Sequence, residues 1–402
     1  MPISDRPPRV LYCTDTYPPQ LNGVSVVTAL SVAGLRRRGW EVAVIAPRYP
    51  VPAFDPFQSD GPAAPHDAIT TLPSCSLPMY PDLRLALPSR RAVATVVEQF
   101  RPDLVHAATE FVIGRMGQRE AISRGIPVVS SYHTDFSRYT AAYGVPWLRE
   151  PVQQYLRRFH LRSDRVYTPG AAAVDELRHL GIANVELWGR GVDTEIFHPR
   201  RRDRTLRQAY GCGGGAVLFL HVGRLAAEKG VERIIGAFAR ARTLVGSDRQ
   251  IRLIIAGTGP REPSLRALAV DSGIIFLGNL DRVTMLPQLY ASADAFLFAS
   301  HTETLGLVVL EAMASALPVV AAPVGGVADH LDHATNGLAY RPGDIDGMAH
   351  AIARLAGSAE LRHALSVGAR RTAEGLSWEA ELDQLDRSYR EVMGRAPAQQ
   401  AA

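Results

Sequence analysis

From one end of the chain to the other, short apolar runs alternate with helix-length stretches of mixed polarity. Apolar runs of about four to eight residues suit strands, and apolar positions recurring every three or four residues suit amphipathic helices. The pattern therefore predicts an α/β protein in which strands and helices take turns. The first unit shows the rule. Val10-Leu11-Tyr12-Cys13 reads as a strand, 17–23 as a loop, 24–38 as a helix stopped by Gly39, and Val42-Ala43-Val44-Ile45 as the next strand. Further strands are expected at 104–106, 128–130, 166–167 and 185–187. The segment from about 50 to 88 is rich in Pro, Ser and Asp and reads as surface loops over a cleft, placed to shape an acceptor site.

Regular periodicity stops at Gly189-Arg190-Gly191-Val192-Asp193 and the polar stretch 199–204, which marks a domain boundary. A second set of runs follows at 217–222, 251–255, 274–277, 295–298 and 318–321, and helical patterns at 344–355, 359–373 and 378–392 close the chain. Nearly continuous apolar strands are what parallel sheets covered on both faces require. The 402 residues exceed what one core organises, so two domains of about 200 residues are expected. Ligands of such sheets bind beyond the strand C-termini, so two Rossmann-like, doubly wound domains are expected to face a cleft.

Composition narrows the class. Hydrophobic residues at 47% and charged residues at 21%, without low-complexity blocks, fit an ordinary globular protein. Cys13, Cys75 and Cys212 show neither metal-ligand nor CxxC spacing, so no zinc site or disulfide framework is expected, and a reducing compartment is. The first residues lack the regions of a signal peptide and no apolar run reaches membrane-spanning length, so a cytoplasmic location is expected. The net charge of +4 is mild. Arginines cluster at 36–38, 157–158 and 200–202 without interleaved aromatics, which suits solvated helix ends or anionic lipid headgroups at the inner face of the cell membrane rather than nucleic acid.

Candidate chemistry sits at the predicted strand ends. Gly223-Arg224 follows one strand, and Lys229-Gly230 opens the next helix, so two cations on one loop can converge on a diphosphate. Gly257-Thr258-Gly259-Pro260 permits close backbone approach to a ligand, and Gly278-Asn279 occupies the equivalent end of the next strand, beside a base. Both are equally ordinary strand-to-helix turns. The segment from Ser300 to Ala314 places Glu303 at a helix entrance and Glu311 within the helix, seven residues intervening. Unpaired N–H groups of a helix start suit a diphosphate, and carboxylates beside it accept hydrogen bonds from sugar hydroxyls. In the N-terminal half Asn22-Gly23 precedes a helix and can offer backbone donors. His133 follows a strand, where an imidazole can contact a sugar hydroxyl.

In combination, Gly223-Arg224-Leu225 with Lys229-Gly230, Gly257-Thr258-Gly259-Pro260, Glu303 through Glu311, and Pro318-Val319-Val320-Ala321-Ala322 with Gly325-Gly326 resemble the family-4 retaining glycosyltransferases of GT-B fold. The resemblance spans nearly the whole chain. It implies an acceptor-side Rossmann-like domain over 1–195, a nucleotide-sugar domain over 196–375, and over 376–402 a helix returning to the N-terminal domain before a tail. It implies transfer of a sugar from a nucleotide donor with retention, and no metal or other cofactor. Arg224 and Lys229 would hold the diphosphate and Glu311 the ribose. Glu303 would contact the transferred sugar, helped by the backbone of Gly306 and Leu307, with His133 beside that sugar. Asn22 stands where many members carry the first glycine of a pair, and Leu305 replaces the more usual phenylalanine of the donor pocket.

Within the family, Glu303 through Ser315 and Tyr132-His133-Thr134-Asp135 are similar to GDP-mannose-dependent α-mannosyltransferases and to sulfoquinovosyl-diacylglycerol synthases, which use UDP-sulfoquinovose. GDP-mannose is the favoured donor and a lipid or glycan hydroxyl the expected acceptor. The alternatives are a UDP-sugar-dependent transferase, a UDP-sugar 2-epimerase and a non-catalytic nucleotide-sugar-binding protein. A nicotinamide-dependent oxidoreductase would need the GxGxxG that the first loop lacks.

Overall fold

The computed structural model describes residues 6–20, 22–50, 69–77, 80–133, 146–213, 215–246, 249–270, 273–300 and 303–394. They form two compact units. Of the described residues the first holds those up to His133, then 146–189 and 379–394; the second holds 190–378.

In the first unit β1 (Arg9–Cys13), β2 (Glu41–Pro47), β3 (Ile69–Leu72), β6 (Leu104–Ala107), β7 (Val128–Ser131), β8 (Arg165–Thr168) and β9 (Val185–Leu187) make one parallel sheet, ordered β3-β2-β1-β6-β7-β8-β9. β4 (Ser74–Leu77) and β5 (Tyr80–Ala86) pair separately as an antiparallel ribbon. Leu11, Cys13, Ile45 and Val105 of the sheet pack with Val93, Val97 and Ile113 of the flanking helices. The loops expected between 50 and 88 thus include three strands. β3 is an edge strand in which only Leu72 is fully buried, so its sequence Ile-Thr-Thr-Leu carries little apolar signal. Residues 51–68 of that segment lie outside the described residues.

The second unit repeats the design with β10 (Val217–Val222), β11 (Ile251–Ala256), β12 (Ile274–Gly278), β13 (Ala295–Leu297), β14 (Val319–Ala321) and β15 (Gly337–Ala339), ordered β12-β11-β10-β13-β14-β15 and parallel throughout. Phe219, Leu253 and Leu297 bury their side chains with Phe238, Ile352 and Leu355 of the covering helices. β10, buried along its whole length, is the centre of this sheet.

From Glu379 on, the last helix, Trp378–Gly394, belongs to the first unit. Gly34 has no side chain where Leu382 packs, and a Cβ there would collide with that leucine. Tyr389 is buried, with its hydroxyl 2.8 Å from that of Tyr12 and hydrogen-bonded to His106, while Trp40 Nε1 donates to Asp386 at 2.6 Å. Arg38 pairs with Glu379 and Asp383, and Arg37 with Glu379, so two arginines of the 36–38 cluster hold this helix. Among the described residues, no helix is long and apolar enough to cross a membrane.

Candidate active site

Strand order in the second sheet reverses at β10. The chain proceeds outward through β11 and β12, then returns to the other side of β10 as β13. Loops leaving adjacent strands at such a switch point diverge and open a crevice where ligands of open α/β sheets bind. The loop after β10 carries Arg224 and Lys229; the loop after β13 carries Glu303. There Lys229 Nζ donates to Glu303 Oε1 in an ion pair. Their side chains keep 20% and 17% of their exposure, so the pair lines accessible space. The loops are tied together behind it. Ser300 Oγ donates to the Glu228 carbonyl at 3.2 Å, and Gly230, at φ +61°, packs where a Cβ would lie 2.9 Å from the Ala299 carbonyl oxygen. His301 and Thr302, next in the second loop, lie outside the described residues.

Arg224 is partly exposed, and the backbone around it is fixed. Gly223 N–H bonds the Ala256 carbonyl at 3.0 Å and Leu225 N–H the Thr258 carbonyl at 2.9 Å. Gly257, at φ +129°, sits so close to the Gly223 carbonyl that a side chain there would collide with it. Its N–H bonds the Gly278 carbonyl at 2.7 Å, and Thr258 Oγ1 donates to Asn279 Oδ1 at 3.2 Å. Glycine at 257 is therefore what lets three neighbouring strand ends close into one rim.

Glu303 enters the helix Leu307–Ala314 through Leu305, which is buried, and Gly306, at φ +77°. The Gly326 N–H bonds the Glu303 carbonyl at 2.9 Å, and side chains at Gly325 or Gly326 would strike the backbone of Glu303 or Thr304. Glu311, one helix turn beyond Leu307, is fully buried. Its Oε1 accepts from Arg282 and its Oε2 from the Tyr290 hydroxyl at 3.2 Å. Burial pushes the Glu311 carboxyl up from its ordinary value while the Arg282 guanidinium pulls it back. Arg282 lies 5.3 Å over the Phe197 ring, which meets Tyr290 edge-on. Sequence reading missed Arg282 and Tyr290. The arginine stands four positions past the end of β12, and that place at a strand end was its one available signal.

His221 on β10 was missed as well. A carbonyl can only accept, so His221 Nδ1–H donates to Leu297 O at 3.0 Å, and Nε2 is left as a buried lone pair with no hydrogen-bond partner among the described residues. Burial lowers this imidazole to about 4, with Lys229 adding to the effect, so it is neutral at neutral pH.

In the first unit Asn22 works as a helix cap. Its Oδ1 accepts from Ser25 N at 2.9 Å, its N–H bonds Ser25 Oγ at 3.1 Å, and its Nδ2 donates to Thr16 Oγ1 at 2.7 Å. The Asn22 N–H is thus engaged within the cap. Gly23 is exposed, and as the first residue of the helix Gly23–Arg37 it has an N–H without an intrahelical acceptor. His133 follows β7 and is partly exposed; desolvation lowers it to about 4. Thr134 and Asp135 lie outside the described residues. This sheet also has a switch point, between β1 and β6, and buried Asp15 and Glu110 lie just past those two strands. Asp15 Oδ1 accepts from Ile113 N at 2.9 Å and Oδ2 from Thr109 Oγ1 at 2.7 Å, so it caps the helix Val112–Ser123. Among the described residues no group of three or more His, Cys, Asp or Glu side chains gathers as metal ligands would.

Cations, a glycine-lined rim, a helix start and a carboxylate at one switch point can receive a diphosphate and hydroxyl groups together. Comparison with known proteins agrees in kind. Residues 21–196 match the family model Glycosyltransferase Family 4, and residues 216–358 match Glycosyl transferases group 1. The chain is 33% identical over 399 residues to the GDP-mannose-dependent alpha-mannosyltransferase of Mycobacterium tuberculosis, covering 98% of this chain and 99% of that protein. It is 32% identical over 312 residues to a sulfoquinovosyl transferase of Arabidopsis thaliana, covering 75% of this chain and 59% of the other. The Anabaena HepE structure with UDP-glucose superposes with a TM-score of 0.74 at 19% identity, covering 95% of this chain and 99% of that one. The chain belongs to glycosyltransferase family 4 and is a hexosyltransferase of GT-B fold.

Proposed function

We propose that the enzyme transfers mannose from GDP-mannose to a hydroxyl of a lipid or glycan acceptor, with retention at the anomeric carbon. The observation that carries the reading is the meeting of Lys229 and Glu303 at the β10/β13 switch point. Departure of a nucleoside diphosphate leaves negative charge on phosphate and positive character on the sugar ring. Lys229, Arg224 and the helix start at Gly306 and Leu307 meet the first, and Glu303 accepts hydrogen bonds from the sugar. In this reading Gly257, Gly278 and Asn279 form the rim beside phosphate and base, and Leu305 shapes the pocket wall. Gly23 offers a backbone donor and His133 serves the sugar from the first unit. Glu311 serves the ribose once Arg282 yields one of its oxygens. The leaving phosphate receives the proton of the incoming hydroxyl on the face it departs from, and no metal or other cofactor takes part.

Mannose from GDP is favoured by the identity to the mycobacterial enzyme across nearly both full chains. The second reading, a UDP-sugar donor, draws on the Arabidopsis relative. A cytoplasmic enzyme working at the inner face of the membrane fits a lipid acceptor. Of the arginines clustered in the sequence, Arg37, Arg38, Arg200 and Arg202 pair with carboxylates of the chain, which leaves the cluster at 157–158 the better suited of the three to anionic lipid. A second basic patch lies at the exposed Arg115 and Arg119 with Arg90 and Arg162, where Arg115 above all holds Arg119 below its ordinary value.

Incubation with GDP-mannose, UDP-glucose and UDP-N-acetylglucosamine in the presence of membrane extract separates these readings. GDP release from GDP-mannose alone is expected. UDP release without GDP release would move the assignment to the second reading.

A further inference from the structure

At the switch point of the first unit's sheet, two carboxylates have contrasting surroundings. Asp15, past the end of β1, has its oxygens taken by Ile113 N–H and the Thr109 hydroxyl, which completes the cap of the helix Val112–Ser123. Glu110, past the end of β6, is as buried as Asp15. Its Oε1 has no hydrogen-bond partner among the described residues. The His160 imidazole stands beside it, with Nε2 3.5 Å from that oxygen and, among the described residues, equally without a hydrogen bond. His160 is fixed from its other side, where Nδ1 lies 2.9 Å from Ser130 Oγ, and its ring packs edge-on against Tyr132, the residue before His133. The Tyr155 hydroxyl donates to the Glu110 carbonyl, which anchors the backbone of the loop.

A buried carboxylate oxygen and a buried imidazole nitrogen, both unsatisfied and both held in place, cost the fold stability without return. Their place is where open α/β sheets take ligands. We propose that Glu110, seated by His160, is the positioning contact for the acceptor, receiving a hydrogen bond from a neutral sugar or polyol hydroxyl in the first unit. A carboxylate accepts from hydroxyls without competing for the phosphates of the donor, which are drawn to cations. The proposal rests on the reading of the chain as a transferase to hydroxyl groups, and names the acceptor-side residue that such a reaction needs.

The test uses the full chain, a detergent-solubilised membrane lipid extract as acceptor pool, and whichever nucleotide sugar the wild type turns over, so a wrong donor assignment does not decide it. Glu110→Gln keeps the shape and removes the strongest acceptor. It should raise the extract concentration at half-saturation about tenfold or more. Donor hydrolysis without extract should stay at the wild-type rate, and the melting temperature should stay within a few degrees of wild type, because the amide keeps the shape and burial of the side chain. His160→Gln should move acceptor saturation in the same direction. If Glu110→Gln does not fold, Glu110→Asp, which withdraws the carboxylate by one methylene, should show the same split. Wild-type saturation in these variants overturns the proposal, and so does a parallel fall in donor hydrolysis. A wild-type chain inert with every donor contradicts the transfer reading and the proposal together.

Discussion

Lys229 and Glu303, 74 residues apart in the chain, form an ion pair at the ends of adjacent parallel strands. The cation suited to a leaving diphosphate is thereby held beside the carboxylate suited to the sugar. Lys229→Ala should lower kcat by about a hundredfold or more, the loss typical of one preorganised donor to a developing oxyanion, or about 3 kcal/mol. Steady-state kinetics of nucleoside diphosphate release will show it, and turnover within threefold of wild type would remove Lys229 from the leaving-group role.

Gly257 and Gly23 should respond oppositely to alanine. At Gly257 the backbone has φ +129° and a Cβ would meet the Gly223 carbonyl, so Gly257→Ala should cost about 2 kcal/mol or more and abolish donor binding. Among the described residues nothing lies within 4 Å of a Cβ at Gly23. Gly23→Ala should therefore fold normally, and any lost activity reports on ligand approach alone. Thermal melts paired with donor titration separate the two effects.

Glu311 is buried with Arg282 as its charge partner. Arg282→Ala leaves that carboxylate uncompensated and should destabilise the second unit by about 3–5 kcal/mol. The double change Arg282→Met with Glu311→Leu should recover part of the loss. Urea midpoints of the two variants check this.

Acid should weaken the fold below neutrality. Burial lowers His221 from 6.5 to about 4 and His106 from 6.5 to about 3. The unfolded chain binds protons that the folded chain refuses, so the stability these groups permit is complete above pH 6.5 and is lost as pH falls toward their folded values. For His221 the full loss is on the order of 3 kcal/mol. Urea midpoints should fall between pH 7 and pH 5; a flat profile would mean that these imidazoles are not neutral and buried.

Much of this was legible in the residues because parallel strands buried on both faces announce themselves as apolar runs. β10, β11 and β12 were placed within a residue or two. β3, β4, β5 and β15 were missed: β3 is an edge strand with a single fully buried residue, β4 and β5 pair only with each other outside the large sheets, and β15 is three residues long. The strand-end positions of Arg224, Lys229 and Glu303 could be read, because a residue just past a parallel strand belongs to the ligand side of the sheet. Partnership could not. That Asn22 spends its amide on a capping box, and that Arg282 and Tyr290 take the oxygens of Glu311, depends on side chains brought together by folding.

The anomeric configuration of the product formed from GDP-mannose, read by NMR at the sugar C1 after incubation with membrane extract, tests the central claim most directly. The donor carries an α-linked mannose, so retention predicts an α-mannoside. A β-mannoside would contradict retention, and an absence of mannosylated product alongside transfer from a UDP-sugar would contradict the donor.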